Sequence, residues 1–115
     1  MELSDRSQDS LKIVSIAGNI ILEETEQIKN FVENLIENPA VKGIIINCEK
    51  VDYIDSSGLG LIVSVYKALK QSRRCFALTG LDSKTMEIFV LTRLNEILTI
   101  TDTEDQAVAA CSSPQ

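Results

Sequence analysis

The chain contains no histidine. That absence removes Ser-His-Asp and Cys-His nucleophilic units, and with them every histidine-based metal site. Tryptophan is missing too, and aromatics make up only 4% of the residues, so the core must be built from Leu, Ile and Val. Positive charge is also in short supply: 11 Lys and Arg face 17 Asp and Glu, for a net charge of −6. Affinity for nucleic acid or for an anionic membrane surface draws on clustered Lys and Arg, so neither partner is expected, whereas a basic protein surface is compatible. No apolar run approaches the roughly 20 residues of a membrane span. The opening MELSDRSQDS has neither a basic n-region nor an apolar h-region, and the chain reads as cytoplasmic. Cys48, Cys75 and Cys111 contain no CxxC pair. An odd count without an export signal reads as free thiols in a reducing cytosol, not as a disulfide framework. No metal and no cofactor are expected.

What is present suits one soluble domain. The length of 115 residues, with 44% apolar and 24% charged residues, fits a single core spanning 1–115,. The polar first ten residues and the final SSPQ are expected to be flexible, although Met1–Ser4 admits a short first strand. Leu11–Ala17 partly alternates and reads as a strand closed by a turn at Gly18-Asn19. Glu23–Asn38 is the clearest helix: Ile28, Phe31, Val32, Leu35 and Ile36 form one stripe, acids fill the first turn, and Asn38-Pro39 ends it. The Ile-rich run Gly43–Cys48 fits a strand buried on both faces, followed by a loop over Val51–Asp55. A second helix runs from Ser56 to about Gln71 on the stripe Leu59, Ile62, Val63, Tyr66 and Leu69. Cys75–Thr79 is a further strand. Asp82 or Ser83 can cap a third helix with Met86, Phe89 and Val90 facing inward. Leu94–Leu98 turns back to the core, and Thr103-Glu104-Asp105-Gln106 has the form of a capping box opening a last helix. The order β-α-β-α-β-α-α predicts an α/β sheet layered with helices.

The chemistry concentrates in Val51-Asp52-Tyr53-Ile54-Asp55-Ser56-Ser57-Gly58-Leu59-Gly60, which follows a buried strand and opens a helix, the end of an α/β sheet where function gathers. Asp55 is a good N-cap, and Ser56 and Ser57 fall in the first turn, whose N–H groups lack helical partners. A phosphate on Ser56 would sit against those groups and the helix dipole, adding about −1.5 to −2 charges beside Asp55. Gly58 and Gly60 each cost a helix on the order of 1 kcal/mol, which points to the close approach of another backbone, the chain's own or a partner's. Leu61, Val65 and Ala68 make a second apolar stripe. It fits equally a helix sandwiched inside the fold and a docking surface. Taken singly these features are ordinary: Ser beside Asp is usually only a cap, Gly58-Leu59-Gly60 is neither a dinucleotide fingerprint nor a phosphate loop, and Asp52 with Asp55 reads as loop solvation before it reads as a carboxylate pair.

Taken together, Asp55-Ser56-Ser57-Gly58-Leu59-Gly60 with Tyr66-Lys67 resembles the STAS domain of bacterial anti-sigma factor antagonists. The likeness covers nearly the whole chain, including IIINC before the motif, CFALTG after it, and Leu94–Leu98 with Thr103–Ala107. It implies an α/β STAS fold: a mixed, roughly four-stranded sheet with about four helices packed mainly on one face, and a monomer when free. It also implies partner switching. The unphosphorylated antagonist binds an anti-sigma factor that is itself an ATP-dependent serine kinase, and a sigma factor is freed. Phosphorylation of the serine after the Asp, here Ser56, ends that binding, and a phosphatase restores it. Asp55 would position Ser56 or touch the kinase, and Ser57, Gly58, Leu59, Gly60 and Leu61 would shape the partner surface. One position departs from the family: an Asp common near the end of the second strand is replaced by Ile21, with Glu23 and Glu24 the nearest acids.

Two other classes compete. A structural STAS subunit of a sensory or lipid-transport assembly would need no phosphorylation. A response-regulator receiver would carry the phosphate on Asp55, but Ile20-Ile21 supplies no acid pair for Mg²⁺ and no Lys follows CFALTG. An enzyme with its own turnover is the least supported, because no acids and lysines are spaced to share a site.

Overall fold

The computed structural model describes residues 1–112. Five strands form one sheet: β1 (Glu2–Gln8), β2 (Leu11–Ile20), β3 (Gly43–Ile54), β4 (Cys75–Thr79) and β5 (Thr99–Thr101), in spatial order β1-β2-β3-β4-β5. β1 pairs antiparallel with β2, and every other pairing is parallel. Four helices join them: α1 (Leu22–Ile36), α2 (Ser56–Gln71), α3 (Ser83–Leu91) and α4 (Glu104–Ser112). A single 3-10 turn covers Leu94–Glu96. This is the mixed α/β architecture expected, with one strand more than the rough count of four.

The additional strand content has local causes. The short first strand admitted at Met1–Ser4 extends over Glu2–Gln8 along β2, and Asp9, at φ 54°, makes the left-handed corner of the hairpin, a conformation Asp tolerates. β1 is exposed except around Leu3 and carries Asp5 and Arg6, the charged edge that discourages edge-to-edge pairing. Gly18-Asn19 does not end β2. Register shifts between Ser15 and Ala17 and between Gly18 and Asn19 let the strand continue to Ile20, with Gly18 at φ 115° absorbing the irregularity,. β3 likewise runs on through Val51–Ile54, the segment read as a loop, with Val51 and Ile54 turned into the core. Only its first part, Gly43–Asn47, is flanked on both sides. From Lys50 on it pairs with β2 alone. β5 is three residues long and holds no buried side chain, too short and too polar to announce itself.

Two apolar layers follow from strand alternation. Ile44 and Ile46 join the large core beneath α1, α2 and α3, with Ile28, Val32, Ile62, Leu69 and Phe89. Ile45 points the other way, into a smaller cluster with Leu11, Ile13, Ala77 and Ala107 of α4. Three helices therefore cover one face and α4 the other. In α3 the inward stripe is Thr85 and Phe89, while Met86 is half-buried and Val90 is 49% exposed. The assignment of Val90 to the core is thus corrected, because Phe89 takes the central position and its neighbour is rotated outward.

The cysteines also require correction. Cys75, at the start of β4, and Cys111, in the last turn of α4, are joined by a disulfide across 36 residues, with Cα atoms 5.5 Å apart. Packing α4 on the second face of the sheet brings them together, and no sequence spacing signals that. Cys48 alone is free. It is buried, which pushes its thiol up to about 12,. The final residues expected to fray lie outside the described residues, except Ser112, which closes α4.

Candidate functional site

β3 delivers the chain to the start of α2 at the free end of the β2–β3 pair. Ile54 is anchored in the core, the Asp55 amide donates to the Ile20 carbonyl at 3.2 Å, and α2 begins at Ser56. Ser56 is exposed, Ser57 half-buried and Gly58 buried. The hydroxyl singled out from the sequence is thus open to solvent, at the first position of the helix, where the backbone N–H groups have no carbonyl four residues back.

Asp55 does more than cap one helix. Its Oδ1 accepts from the Gly58 amide at 2.8 Å, the expected N-cap bond of α2,. Its Oδ2 accepts from the Leu22 amide at 3.1 Å, at the first residue of α1. The N-cap position of α1 is Ile21, which offers no side-chain acceptor. One carboxylate therefore serves the leading N–H groups of two helices and ties their starts together. Glu23 and Glu24 sit in the first turn of α1, where their charge favours the dipole,.

The two glycines divide cleanly. A Cβ on Gly58 would lie 2.2 Å from the Ile20 carbonyl oxygen and 2.9 Å from the Cγ2 atoms of Ile20 and Ile54, so the backbone approach at this position is the chain's own. A Cβ on Gly60 would meet nothing within 4 Å; this glycine faces open space. Leu59 is half-buried against the core. Leu61 and Val65 are 7% and 6% exposed, so the second stripe of α2 is largely covered by the fold, and only Ala68 remains exposed.

Between α1 and α2 runs a groove of about 500 Å³, bordered by Leu22, Glu26, Asn30, Ser57, Gly60 and Ser64. It begins at the Asp55 tie, and two large apolar side chains flank that region in sequence: Leu22 at 64% and Tyr53 at 54% exposure. Leu22 and the groove were not picked out from the sequence. A signal existed for Leu22, which lies out of phase with the buried Ile28 and Val32 of its helix,. The pairing of α1 with α2 depends on tertiary structure and left no local trace. Among the described residues, no group of three or more acids, cysteines or histidines is placed to hold a metal ion, and no helix is long and apolar enough to cross a membrane.

The profile of the STAS domain family matches residues 2–107. The chain belongs to the STAS domain family. Among relatives of the STAS chain, the anti-sigma-B factor antagonist of Listeria monocytogenes is 29% identical over 108 residues, which cover 92% of this chain and 91% of its own. A crystal structure of a candidate anti-sigma factor antagonist from Thermotoga maritima superposes with a TM-score of 0.90 at 26% identity, covering 96% of this chain and 95% of that one. The Bacillus cell-fate determinant SpoIIAA in its phosphorylated form shares the fold, with a TM-score of 0.72 at 22% identity over 95% of this chain and 98% of its own. The unphosphorylated form of SpoIIAA gives 0.74 at the same identity, over 95% and 96%.

Proposed function

We propose that this STAS domain is an anti-sigma factor antagonist controlled by phosphorylation of Ser56. In the unphosphorylated state it binds an anti-sigma factor that is a serine kinase, and a sigma factor is released. ATP-dependent transfer of a phosphoryl group to Ser56 ends the binding, and a phosphatase restores it. The observation that carries the reading is the exposure of Ser56 at the leading residue of α2, beside a groove built from both α1 and α2. The antagonist named among its relatives and the existence of SpoIIAA in both phosphorylation states support it.

The physical basis is local charge. A partner that seats a neutral hydroxyl beside the Asp55 carboxylate would, after phosphorylation, meet about −1.5 to −2 further charges at the same point. Within an interface, like charges brought together cost several kcal/mol, enough to release a partner. The helix itself tolerates the phosphate, because negative charge at a helix start is favourable. The switch then acts on association and leaves the fold in place. Asp55, Ser57, Gly58, Leu59, Gly60 and Leu61 shape the partner surface, Gly58 and Leu61 from within and Gly60 by direct contact.

The test is incubation of the chain with ATP and an anti-sigma factor kinase purified from the same cells, followed by mass spectrometry. One phosphate on Ser56, lost in Ser56→Ala and retained in Ser57→Ala, is expected. Phosphate that persists in Ser56→Ala would refute the site. Binding of the kinase to the unmodified chain, weakened after phosphorylation, completes the scheme.

A further inference from the structure

The Cys75–Cys111 disulfide lies at the opposite end of β4 from the Ser56 region and plays no part in the switch proposed above. We propose that this pair is a reversible oxidation site, opened by small dithiols through thiol–disulfide exchange, whose opening frees the C-terminal end of α4 from the sheet.

The hold on α4 is uneven along its length. Its start is fixed by a reciprocal capping box: the Gln106 amide donates to Thr103 Oγ1 at 3.2 Å, and Gln106 Oε1 accepts from the Asp102 and Thr103 amides at 3.0 and 3.3 Å. Glu104 adds an ion pair with Arg6 and accepts from Asn47 Nδ2 at 3.1 Å. Further on, Ala107 is the one buried residue of the helix, with Val108 and Cys111 only partly buried on the second cluster. A helix of nine residues is shorter than the roughly 12–15 at which isolated helices become even marginal in water. The covalent bond to Cys75 is therefore a direct tie between its last turn and the sheet.

Both residues are partly exposed, so an external thiolate can reach them. Cys48 is 1% exposed, and burial raises its thiol, so it stays out of the exchange and the system has two cysteines. In the opening step, one thiolate of the dithiol attacks a sulfur of the pair, and the other cysteine leaves as a thiolate and takes up a proton. The second thiol of the reagent then closes on its own mixed disulfide and releases the second cysteine. Two electrons pass from the dithiol to the protein, and the reagent ends as a cyclic disulfide. Glutathione disulfide runs the reverse reaction, giving two reduced glutathiones.

The experiment uses the full chain, purified under air, without denaturant. Iodoacetamide should leave Cys75 and Cys111 unmodified until dithiothreitol is added, and then label both while sparing Cys48. Glutathione disulfide should restore protection. Hydrogen exchange should show the amides of residues 108–112 exchanging at least tenfold faster in the reduced chain, with those of α2 unchanged. Cys111→Ser should show the fast pattern without reductant. Free labelling of Cys75 and Cys111 in the air-purified chain, failure of dithiothreitol to expose them, or α4 exchange indifferent to reduction would each overturn the proposal.

Discussion

At the scale of single residues, the sharpest contrast is between two glycines two positions apart. Gly58→Ala puts a methyl group 2.2 Å from the Ile20 carbonyl oxygen. A backbone oxygen cannot step aside, so α2 must shift off β2, and a loss of about 1–3 kcal/mol in urea unfolding is expected. Gly60→Ala meets nothing and should stabilise the fold by up to about 1 kcal/mol through helix propensity. If a partner backbone lies against Gly60, the same substitution weakens partner binding while raising the melting temperature, and isothermal calorimetry beside a thermal melt separates the two. Asp55→Ala removes the acceptors for Gly58 and Leu22 together, and should cost about 1–2 kcal/mol, the upper part of the N-cap range. The first of those bonds was legible in the sequence, since an N-cap acts within three residues. The second spans 33 residues and fills the place of the side-chain acceptor that Ile21 does not supply at the start of α1.

At the scale of elements, α3 offers a test by pH. The Asp82 carboxyl accepts from the Thr85 amide at 2.7 Å. The backbone bond to Thr85, then the Thr85 side chain, hold Asp82 below its ordinary value of 3.8,. A lowered carboxyl favours the folded state while it is ionised, so the benefit is present above the ordinary value and drains away as pH falls through the lowered one. Acid titration followed by α3 amide exchange should show protection fading below about pH 4. Asp82→Asn keeps an acceptor for Thr85 and should flatten that acid limb. The helices were well legible: α2 was placed residue for residue at its start, and the caps at Asp55, Asp82 and Thr103 all form, because capping chemistry is local. Strand ends were less legible. Gly18-Asn19 resembles a turn but forms a bulge, and β5 has no buried residue to reveal it. Pairing partners, not propensity, decide where these strands stop.

At the scale of the molecule, charge on Ser56 should change association without changing the fold. Ser56→Glu is expected to melt within a degree or two of the wild type, while partner affinity falls roughly 100-fold, a loss within the several kcal/mol of like-charge contact. A matched fall in stability would instead place the charge inside the structure. Fold class and the start of α2 at Ser56 were readable from the sequence, because a strand with three consecutive Ile and an Asp-Ser-Ser-Gly-Leu-Gly helix start are local features. The groove between α1 and α2 and the link between Cys75 and Cys111 were not, since each joins segments far apart in the chain. The stretch from Lys50 to Ile54 now takes on a further meaning. It bonds to β2 alone, yet Val51 and Ile54 are sunk in the core, so the platform bearing Ser56 extends past the β3–β4 pairing while staying pinned from below. A charge added at Ser56 would therefore fall on a rim held by one neighbouring strand and by side chains sunk into the core, so its effect is confined to the surface.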